Sequence, residues 1–287
     1  MLVSARLLHF CRKSPDRMAW LERLPRTIAA LEERWQLSIG EPLGSEGEAS
    51  WVAAVARRDG SRAALKLGMP HMEAEHEIDG LRFWNGDPTV RLIEADDALG
   101  AMLLERCEPG TSLRERPGPE QDAVLAGLLR RMWKAPPAGH RFRPLSEMIE
   151  HWIGETMAGE AEWPDAALVH EGIRCFRALT SDATARVLLA TDLHAGNVLR
   201  AEREPWLVID PKPFVGDPAY DATQHLLNDL DRLSADPIGT IARYAGLLSV
   251  DEGRVRRWLF ARLAAVPRES WPSNRWAGVL RAIAPRE

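Results

Sequence analysis

Residues 190–197, Ala-Thr-Asp-Leu-His-Ala-Gly-Asn, contain the side chains best suited to chemistry. Asp192 precedes Asn197 by five positions, and Asp210 follows the apolar run 206–209. A carboxylate can orient and deprotonate a hydroxyl, while carboxylate and amide oxygens suit Mg²⁺ held against nucleotide phosphates. The pattern indicates phosphoryl transfer, with Asp192 as the base and Asn197 and Asp210 as metal ligands.

Lys66 is the second candidate group, because it ends a strand-like segment in a chain with few lysines. Of the 37 basic residues, the lysines are Lys13, Lys66, Lys134 and Lys212. The Lys66 ammonium could pair with nucleotide phosphates, although a surface lysine on a strand edge is the simpler alternative. The helix that follows should supply an acid to orient it. Glu75 is the first choice because of its position upstream of residues 80–84, and Glu73 and Glu77 are close rivals.

Composition limits the class of protein. A chain of 287 residues with 45% apolar residues can build two hydrophobic cores. A net charge of −5 argues against a general nucleic-acid binder. Cys11, Cys107 and Cys175 are too few and too widely spaced to indicate a disulfide framework or a zinc site.

The expected location is the cytoplasm, without a membrane partner. The apolar stretch in the first ten residues is too short for a signal peptide, and no small-residue cleavage site follows it. No run of about 18 apolar residues occurs elsewhere.

The first part of the chain reads as a small antiparallel sheet with helices. Apolar spacing predicts one or two helices over 16–34, interrupted at Pro25. Three strands within 37–67, joined by a Gly-containing loop and an Asp-Gly hairpin, come next. The remaining predicted elements are a helix at 71–84 and strands at 90–93 and 101–105.

The second part is predominantly helical. Helices are predicted at about 121–133, 145–158 and 166–179, and again from Tyr220 onward, around the catalytic segment and one short hairpin. Asp217 reads as a helix N-cap and Asp221 as an early-turn acid stabilised by the helix dipole. The predicted class is α+β with two lobes, divided into residues 1–107 and 108–287.

The order of these features resembles the aminoglycoside phosphotransferase family of kinase-like enzymes. Residues 191–199, 206–211 and 216–221 look like its streptomycin 6-kinase and hydroxyurea phosphotransferase branch. The resemblance implies a protein-kinase-like fold with ATP and Mg²⁺ as cofactors. It also implies transfer of the γ-phosphoryl group to a hydroxyl of a small molecule, with streptomycin or a related aminoglycoside as the expected acceptor.

Further site residues follow from this resemblance. The backbone of Glu105 and Cys107 at the linker is expected to bind the nucleotide base. The loop containing Gly44, Ser45 and Gly47 is expected to cover the phosphates, although glycines before a strand also form plain turns.

Three departures from the family pattern stand out. Ala190 and Thr191 replace a His-Gly pair, so a supporting hydrogen bond to the catalytic loop is absent or replaced. Pro211-Lys212 stands where protein kinases have Phe-Gly, which argues against a protein-kinase switch. The glycine loop has no third glycine. None removes a group that the transfer requires, and the role of His194 stays open.

The acceptor is the least determined feature. A guanidinium-bearing substrate needs carboxylates, and the candidates in the helical part are Glu155, Glu160, Glu162, Asp165, Asp229 and Asp231. Hydroxyurea or an endogenous metabolite could replace streptomycin, and a non-catalytic pseudokinase is a further alternative. The intact Lys66, Asp192, Asn197 and Asp210 argue against a pseudokinase. A metal hydrolase is weaker still, because no paired histidines have ligand spacing. We expect a monomer.

Overall fold

The computed structural model describes residues 3–44, 49–163, 165–182, 186–266 and 274–285. It divides into two compact units: Met1–Thr111 with Leu199–Ile209, and Ser112–Val198 with Asp210–Glu287. The expected division at residue 107 therefore differs from the observed one. The first unit continues past the linker, and it also includes the short segment Leu199–Ile209.

Most of the described strands lie in the first unit, and most of the described helices lie in the second. The strands are β1 (Leu37–Pro42), β2 (Ser50–Arg57), β3 (Arg62–Gly68), β4 (Leu92–Asp96), β5 (Ala101–Glu105), β6 (Val187–Leu189), β7 (Val198–Leu199), β8 (Leu207–Val208) and β9 (Phe214–Gly216). The helices are α1 (Ala5–Cys11), α2 (Pro15–Arg34), α3 (Glu77–Trp84), α4 (Gly118–Met132), α5 (Leu145–Ala158), α6 (Ala166–Ser181), α7 (Pro218–Asn228), α8 (Leu230–Ala235), α9 (Pro237–Leu248), α10 (Glu252–Ala265) and α11 (Asn274–Ile283). The predicted α+β class is confirmed.

The first unit is built on a five-stranded antiparallel sheet in the order β1-β2-β3-β5-β4. The predicted Asp-Gly hairpin joins β2 to β3, and Gly60 adopts φ +81°, which glycine reaches without strain. In the register, Lys66 of β3 pairs with Val52 of β2 and Met102 of β5. The sheet thus holds Lys66 on a central strand.

Helix α2 is continuous, although an interruption at Pro25 was expected. It places Trp20, Leu24, Ile28 and Leu31 in the core that it shares with β2, β3 and β5. A proline in a helix costs about 3 kcal/mol, whereas each large buried apolar side chain contributes about 1.5–3 kcal/mol. Tertiary burial therefore outweighs the local penalty.

The strand before Asp210 is shorter than expected. The apolar run 206–209 predicts a four-residue strand, but only Leu207 and Val208 adopt strand geometry. Val208 accepts a hydrogen bond from the Val90 N–H (2.9 Å) and donates one to the Pro88 carbonyl (3.1 Å). These bonds fix the segment within the first unit.

The second unit packs its helices around α10. Gly172 of α6 lies so close to α10 that a Cβ there would come within 2.7 Å of the Ala264 Cβ. Trp258, Phe260 and Leu263 of α10 are fully buried. Strands β6 and β9 pair in antiparallel fashion, with Leu188 opposite Val215. Within the described ranges, no helix is both long and apolar enough to span a bilayer.

Candidate active site

Lys66 and Glu77 form a buried ion pair in the first unit. The Lys66 Nζ lies 2.5 Å from the Glu77 Oε1, and both side chains are almost inaccessible to solvent. Removing one partner of such a pair is strongly unfavourable, because the other charge is then left without compensation. Glu77 therefore fixes the position of the ammonium.

The acid on Lys66 is thus Glu77 rather than the expected Glu75. The predicted helix 71–84 is divided: a short 3₁₀ turn spans Met72–Ala74, and α3 starts only at Glu77. Glu75 follows that turn and is exposed, whereas Glu77 is 2% exposed. Charge and spacing alone could not distinguish the two residues, because the choice depends on where the helix begins.

Glu105 closes β5 beside the linker and is held by Arg203. The Arg203 Nε donates to Glu105 Oε1 (2.9 Å), and its Nη2 donates to Oε2 (2.8 Å). Burial raises the pKa of Glu105, but the hydrogen bonds from Arg203 and the Arg91 N–H outweigh it, so the pKa lies below its usual value. Burial and the Glu105 charge raise the pKa of Cys107 to about 12. The nucleotide-binding role of the Glu105 and Cys107 backbone stays a prediction.

Of the predicted glycine loop, the structure describes only the first position. Gly44 has φ +74°, and a Cβ there would meet nothing within 4 Å. Glycine is therefore required by backbone conformation rather than by crowding. Ser45 and Gly47 lie outside the described residues, so the phosphate-covering role of the loop stays a prediction.

Thr191 adopts a strained backbone conformation directly before Asp192. Its φ is +49°, a left-handed value that is unusual for a β-branched residue. The Thr191 hydroxyl donates to the Lys212 carbonyl (2.6 Å), and the Lys212 N–H donates to the Ala190 carbonyl (2.9 Å). These bonds support the loop at the two positions where the expected His-Gly pair is absent.

Asp221 binds the same loop from the first turn of α7. Its carboxylate accepts hydrogen bonds from the Thr191 N–H (2.8 Å), the Ala190 N–H (3.0 Å) and the Trp133 Nε1–H (2.9 Å). Asp221 lies in the first turn of α7, as predicted, and its side chain, 1% exposed, also has loop contacts that the sequence did not indicate. Asp217 is the N-cap of α7, as predicted, and accepts from the Ala219 N–H.

Asp192 and Asn197 are joined within the loop. The Asn197 Nδ2 donates to the Asp192 carbonyl (3.0 Å), which sets the orientation of the Asn197 amide. The Gln224 Nε2 of α7 donates to Asp192 Oδ1 (2.6 Å). Sequence reasoning missed Gln224, since a lone glutamine on a helix carries no signal of its own.

Asp210 follows β8 at φ +54°, and its carboxylate forms an ion pair with the Lys212 ammonium. Lys212 is itself buried. The Asp210 carboxylate and the Asn197 side-chain carbonyl are hard oxygen donors of the kind that Mg²⁺ prefers. This donor chemistry suits a magnesium ion, and the metal-binding role of Asn197 and Asp210 stays a prediction.

Comparison with known proteins places this arrangement in a family. The profile described as "Aminoglycoside/hydroxyurea antibiotic resistance kinase" matches residues 34–269. Streptomycin 6-kinase from Streptomyces griseus is 39% identical over 256 residues, covering 85% of this chain and 82% of that protein. The chain belongs to the aminoglycoside/hydroxyurea antibiotic resistance kinase family. The resemblance stated from sequence motifs is therefore confirmed.

Two further comparisons support family and fold. The hydroxyurea phosphotransferase of Kitasatospora aureofaciens is 38% identical to this kinase, with coverage of 85% of this chain and 72% of that protein. The crystal structure of a thermostable mutant of aminoglycoside phosphotransferase APH(4)-Ia covers 90% of this chain and 99% of its own, with 18% identity and a TM-score of 0.59. The predicted kinase-like fold and the small-molecule kinase class are confirmed.

His194 has a local structural role in this kinase. Its Nδ1 accepts the Gly196 N–H (3.0 Å) and so caps the 3₁₀ turn that carries Asn197. Burial, with the charge of Arg114 as a smaller contribution, lowers the pKa of His194 to about 4. The imidazole is therefore neutral at physiological pH and can accept this hydrogen bond.

Two of the acids considered for substrate binding act as helix N-caps. Asp165 caps α6 by accepting from the Leu168 N–H (3.0 Å). Asp229 caps α8 and lies 2.8 Å from the Arg232 Nε. The carboxylates that recognise a cationic acceptor stay unassigned among the remaining candidates.

We expect Asp221→Ala to destabilise the kinase strongly, with a characteristic pH dependence. Near pH 4 the loss in free energy of unfolding should be at least about 3 kcal/mol, because each buried N–H left without an acceptor costs about 1–3 kcal/mol. Burial raises the pKa of Asp221 to about 6 from 3.8. Between those values the folded chain retains a proton that the unfolded chain has released, so the advantage of Asp221 falls as pH rises from about 4 to about 6.

Asp236→Ala is the matched control for this measurement by chemical denaturation. Asp236 is exposed and caps α9, and the Gly239 N–H holds its pKa below the usual value. Its contribution should therefore be smaller and should decrease as pH falls, the opposite trend. Equal losses for the two variants, or a loss for Asp221→Ala that grows between pH 4 and pH 6, would contradict the role assigned to Asp221.

Proposed function

We propose that this kinase is an ATP-dependent O-phosphotransferase whose acceptor is streptomycin or a related aminoglycoside, and that it thereby inactivates the antibiotic. The observation that carries this proposal is its 39% identity to a streptomycin 6-kinase across most of both chains. The residues that such a transfer needs, Lys66, Asp192, Asn197 and Asp210, are all present.

Each of these residues has a role in the proposed reaction. Lys66, oriented by Glu77, pairs with the α and β phosphates of ATP. Asn197 and Asp210 hold Mg²⁺, which when bound neutralises charge on the phosphates. Asp192 orients the acceptor hydroxyl and accepts its proton.

The proposed transfer is a single displacement at phosphorus. The hydroxyl oxygen of the acceptor forms a bond to the γ-phosphorus while the bond from that phosphorus to the bridging oxygen breaks. The electron pair of the broken bond leaves on ADP, and the hydroxyl proton passes to Asp192. The products are ADP and a phosphate monoester of the acceptor.

Hydroxyurea is the second candidate acceptor. It is favoured by the 38% identity to a hydroxyurea phosphotransferase, close to the value for the streptomycin enzyme. The two acceptors differ in charge, because streptomycin carries guanidinium groups that need carboxylate partners. A difference in kcat/KM between them therefore shows which acceptor the kinase prefers, through recognition and transfer together.

The discriminating experiment measures ADP formation by the purified full chain with MgATP and a panel of acceptors. The panel contains streptomycin, other aminoglycosides and hydroxyurea, with ATP alone as the blank. We expect the highest kcat/KM with streptomycin. If only hydroxyurea supports turnover, hydroxyurea replaces streptomycin as the proposed acceptor. ADP formation at the blank rate with every compound would overturn the proposed function.

Lys66→Ala should raise the KM for MgATP, lower kcat, or both. The substitution removes the ammonium proposed to pair with the phosphates, and it leaves the buried Glu77 carboxylate without that partner. Steady-state kinetics, with thermal unfolding to confirm that the variant is folded, measure the effect. Lys13→Ala, which removes an exposed lysine, is the control. If both kinetic parameters match the wild type, Lys66 has no part in nucleotide binding or transfer.

A further inference from the structure

Gln224 and Arg262 form a hydrogen-bonded chain that ends on Asp192. The Arg262 Nη2 of α10 donates to Gln224 Oε1 (2.6 Å), and the Gln224 Nε2 donates to Asp192 Oδ1 (2.6 Å). Asp221 and Gln224 lie one helical turn apart on α7, and both bind the catalytic loop. One helix thus holds the loop backbone and the carboxylate of the proposed base.

Arg262 is firmly placed. It is 8% exposed, its Nη1 donates to the Thr223 hydroxyl (2.6 Å), and its guanidinium lies 5.1 Å from the Tyr220 ring centroid and 5.8 Å from that of Trp152. Aromatic faces attract cations at such distances. The position of the guanidinium is therefore set by α7 and by Trp152 of α5.

The charges of Arg262 and Asp192 at its two ends allow only one orientation of the Gln224 amide. The guanidinium only donates hydrogen bonds, and an ionised carboxylate only accepts them. A flipped amide would direct its NH₂ at Arg262 and its oxygen at Asp192, which replaces two attractive contacts by two repulsive ones. Arg262 therefore directs the N–H of Gln224 toward Asp192.

We propose that Gln224 is a positioning residue for phosphoryl transfer, which holds the Asp192 carboxylate in the orientation that receives the acceptor hydroxyl, and that Arg262 acts through Gln224. This inference rests on the proposed function. Small errors in placement of a reacting group cost about 10²-fold in rate, so loss of this contact should reduce kcat rather than the affinity for MgATP.

Gln224→Glu is the sharpest test, because it retains the shape and the acceptor for Arg262 and removes the N–H donor. We expect kcat to fall about 10–100-fold, with the KM for MgATP within about twofold of the wild type. Gln36→Glu is the matched control, since Gln36 is exposed and also accepts from an arginine, Arg58 (3.2 Å). A wild-type kcat in Gln224→Glu would overturn the positioning role.

A double-mutant cycle tests whether Arg262 acts through Gln224. Arg262→Met should lower kcat in the wild-type background and should cause no further loss in Gln224→Leu. Equal factors in the two backgrounds would show that Arg262 acts independently and would overturn that part of the proposal. Thermal unfolding of each variant establishes that the compared proteins are folded.

The contact can also be observed without any activity. The chain contains only three glutamines, Gln36, Gln121 and Gln224, so selective ¹⁵N labelling of glutamine side chains gives few amide signals. The pair of N–H signals that is missing from the spectrum of Gln224→Glu belongs to the Gln224 side chain. We expect Asp192→Ala to shift that pair and to leave those of Gln36 and Gln121 in place. An unshifted Gln224 pair would overturn the inference, whereas a wild type that phosphorylates no acceptor would overturn the proposed function instead.

Discussion

Asp192→Asn is expected to lower kcat for phosphoryl transfer by about 10²–10⁴-fold, the range typical of a positioned general base. Asn has the shape of Asp and can still accept the Gln224 N–H, but it cannot take up the hydroxyl proton. The surrounding loop is held by hydrogen bonds from its N–H groups to the Asp221 carboxylate and from the Thr191 hydroxyl to the Lys212 carbonyl, none of which involves the Asp192 side chain. The variant should therefore remain folded and bind MgATP as the wild type does.

Steady-state kinetics measure the effect of Asp192→Asn on turnover, and a separate titration with MgATP measures its effect on nucleotide binding. Asp59→Asn is a suitable control, because Asp59 is exposed in the β2–β3 hairpin and accepts from Ser61. Turnover of Asp192→Asn near the wild-type rate would remove Asp192 from the chemistry. A parallel loss of MgATP affinity would assign it to binding rather than to proton transfer.

Asp210→Asn should weaken binding of the metal–nucleotide complex most strongly among the substitutions considered. The change replaces a carboxylate ligand by a neutral amide. Because substitutions outside the ligand shell already cost about 10–100-fold in metal affinity, the loss here should be at least that large. The residual turnover should need a higher Mg²⁺ concentration.

Titration with Mn²⁺ in the presence of ATP, followed by electron paramagnetic resonance, measures this affinity directly. ATP binding in the presence of a chelator is the internal control and should be similar in both proteins. If Mn²⁺ affinity and Mg²⁺ dependence are unchanged in Asp210→Asn, the carboxylate does not hold the metal.

The sheet and most helices could be predicted from local patterns. The Asp-Gly turn before Ala63 determines the β2–β3 hairpin, and apolar spacing predicts α5 with its observed bounds of Leu145–Ala158. Pro25 predicts an interruption because the cost of a proline in a helix is local. The burial of the apolar face of α2, which outweighs that cost, depends on tertiary packing. The strand before Asp210 was overestimated because apolar character does not show how many residues find hydrogen-bond partners.

Candidate site residues could be chosen from the sequence where a residue type carries the chemistry, but not where long-range packing decides which residues meet. Asp192, Asn197 and Asp210 were chosen from oxygen chemistry and spacing, and their proposed roles are unchanged. Glu77 replaced Glu75 on Lys66 because burial, rather than charge, selects the partner. The contacts of Asp221 with residues 190 and 191, and of Gln224 with Arg262, join residues about 30 or more positions apart. A single sequence contains no local signal for them.

We propose that this kinase phosphorylates a hydroxyl of streptomycin with Asp192 as the base. The most direct test incubates the purified wild type and Asp192→Asn side by side with MgATP and streptomycin, and determines the mass of the antibiotic. We predict a wild-type product heavier by one phosphoryl group, formed in step with ADP, and unmodified streptomycin with the variant over the same period. Unmodified streptomycin with the folded wild type, or equal product from both proteins, would contradict the account.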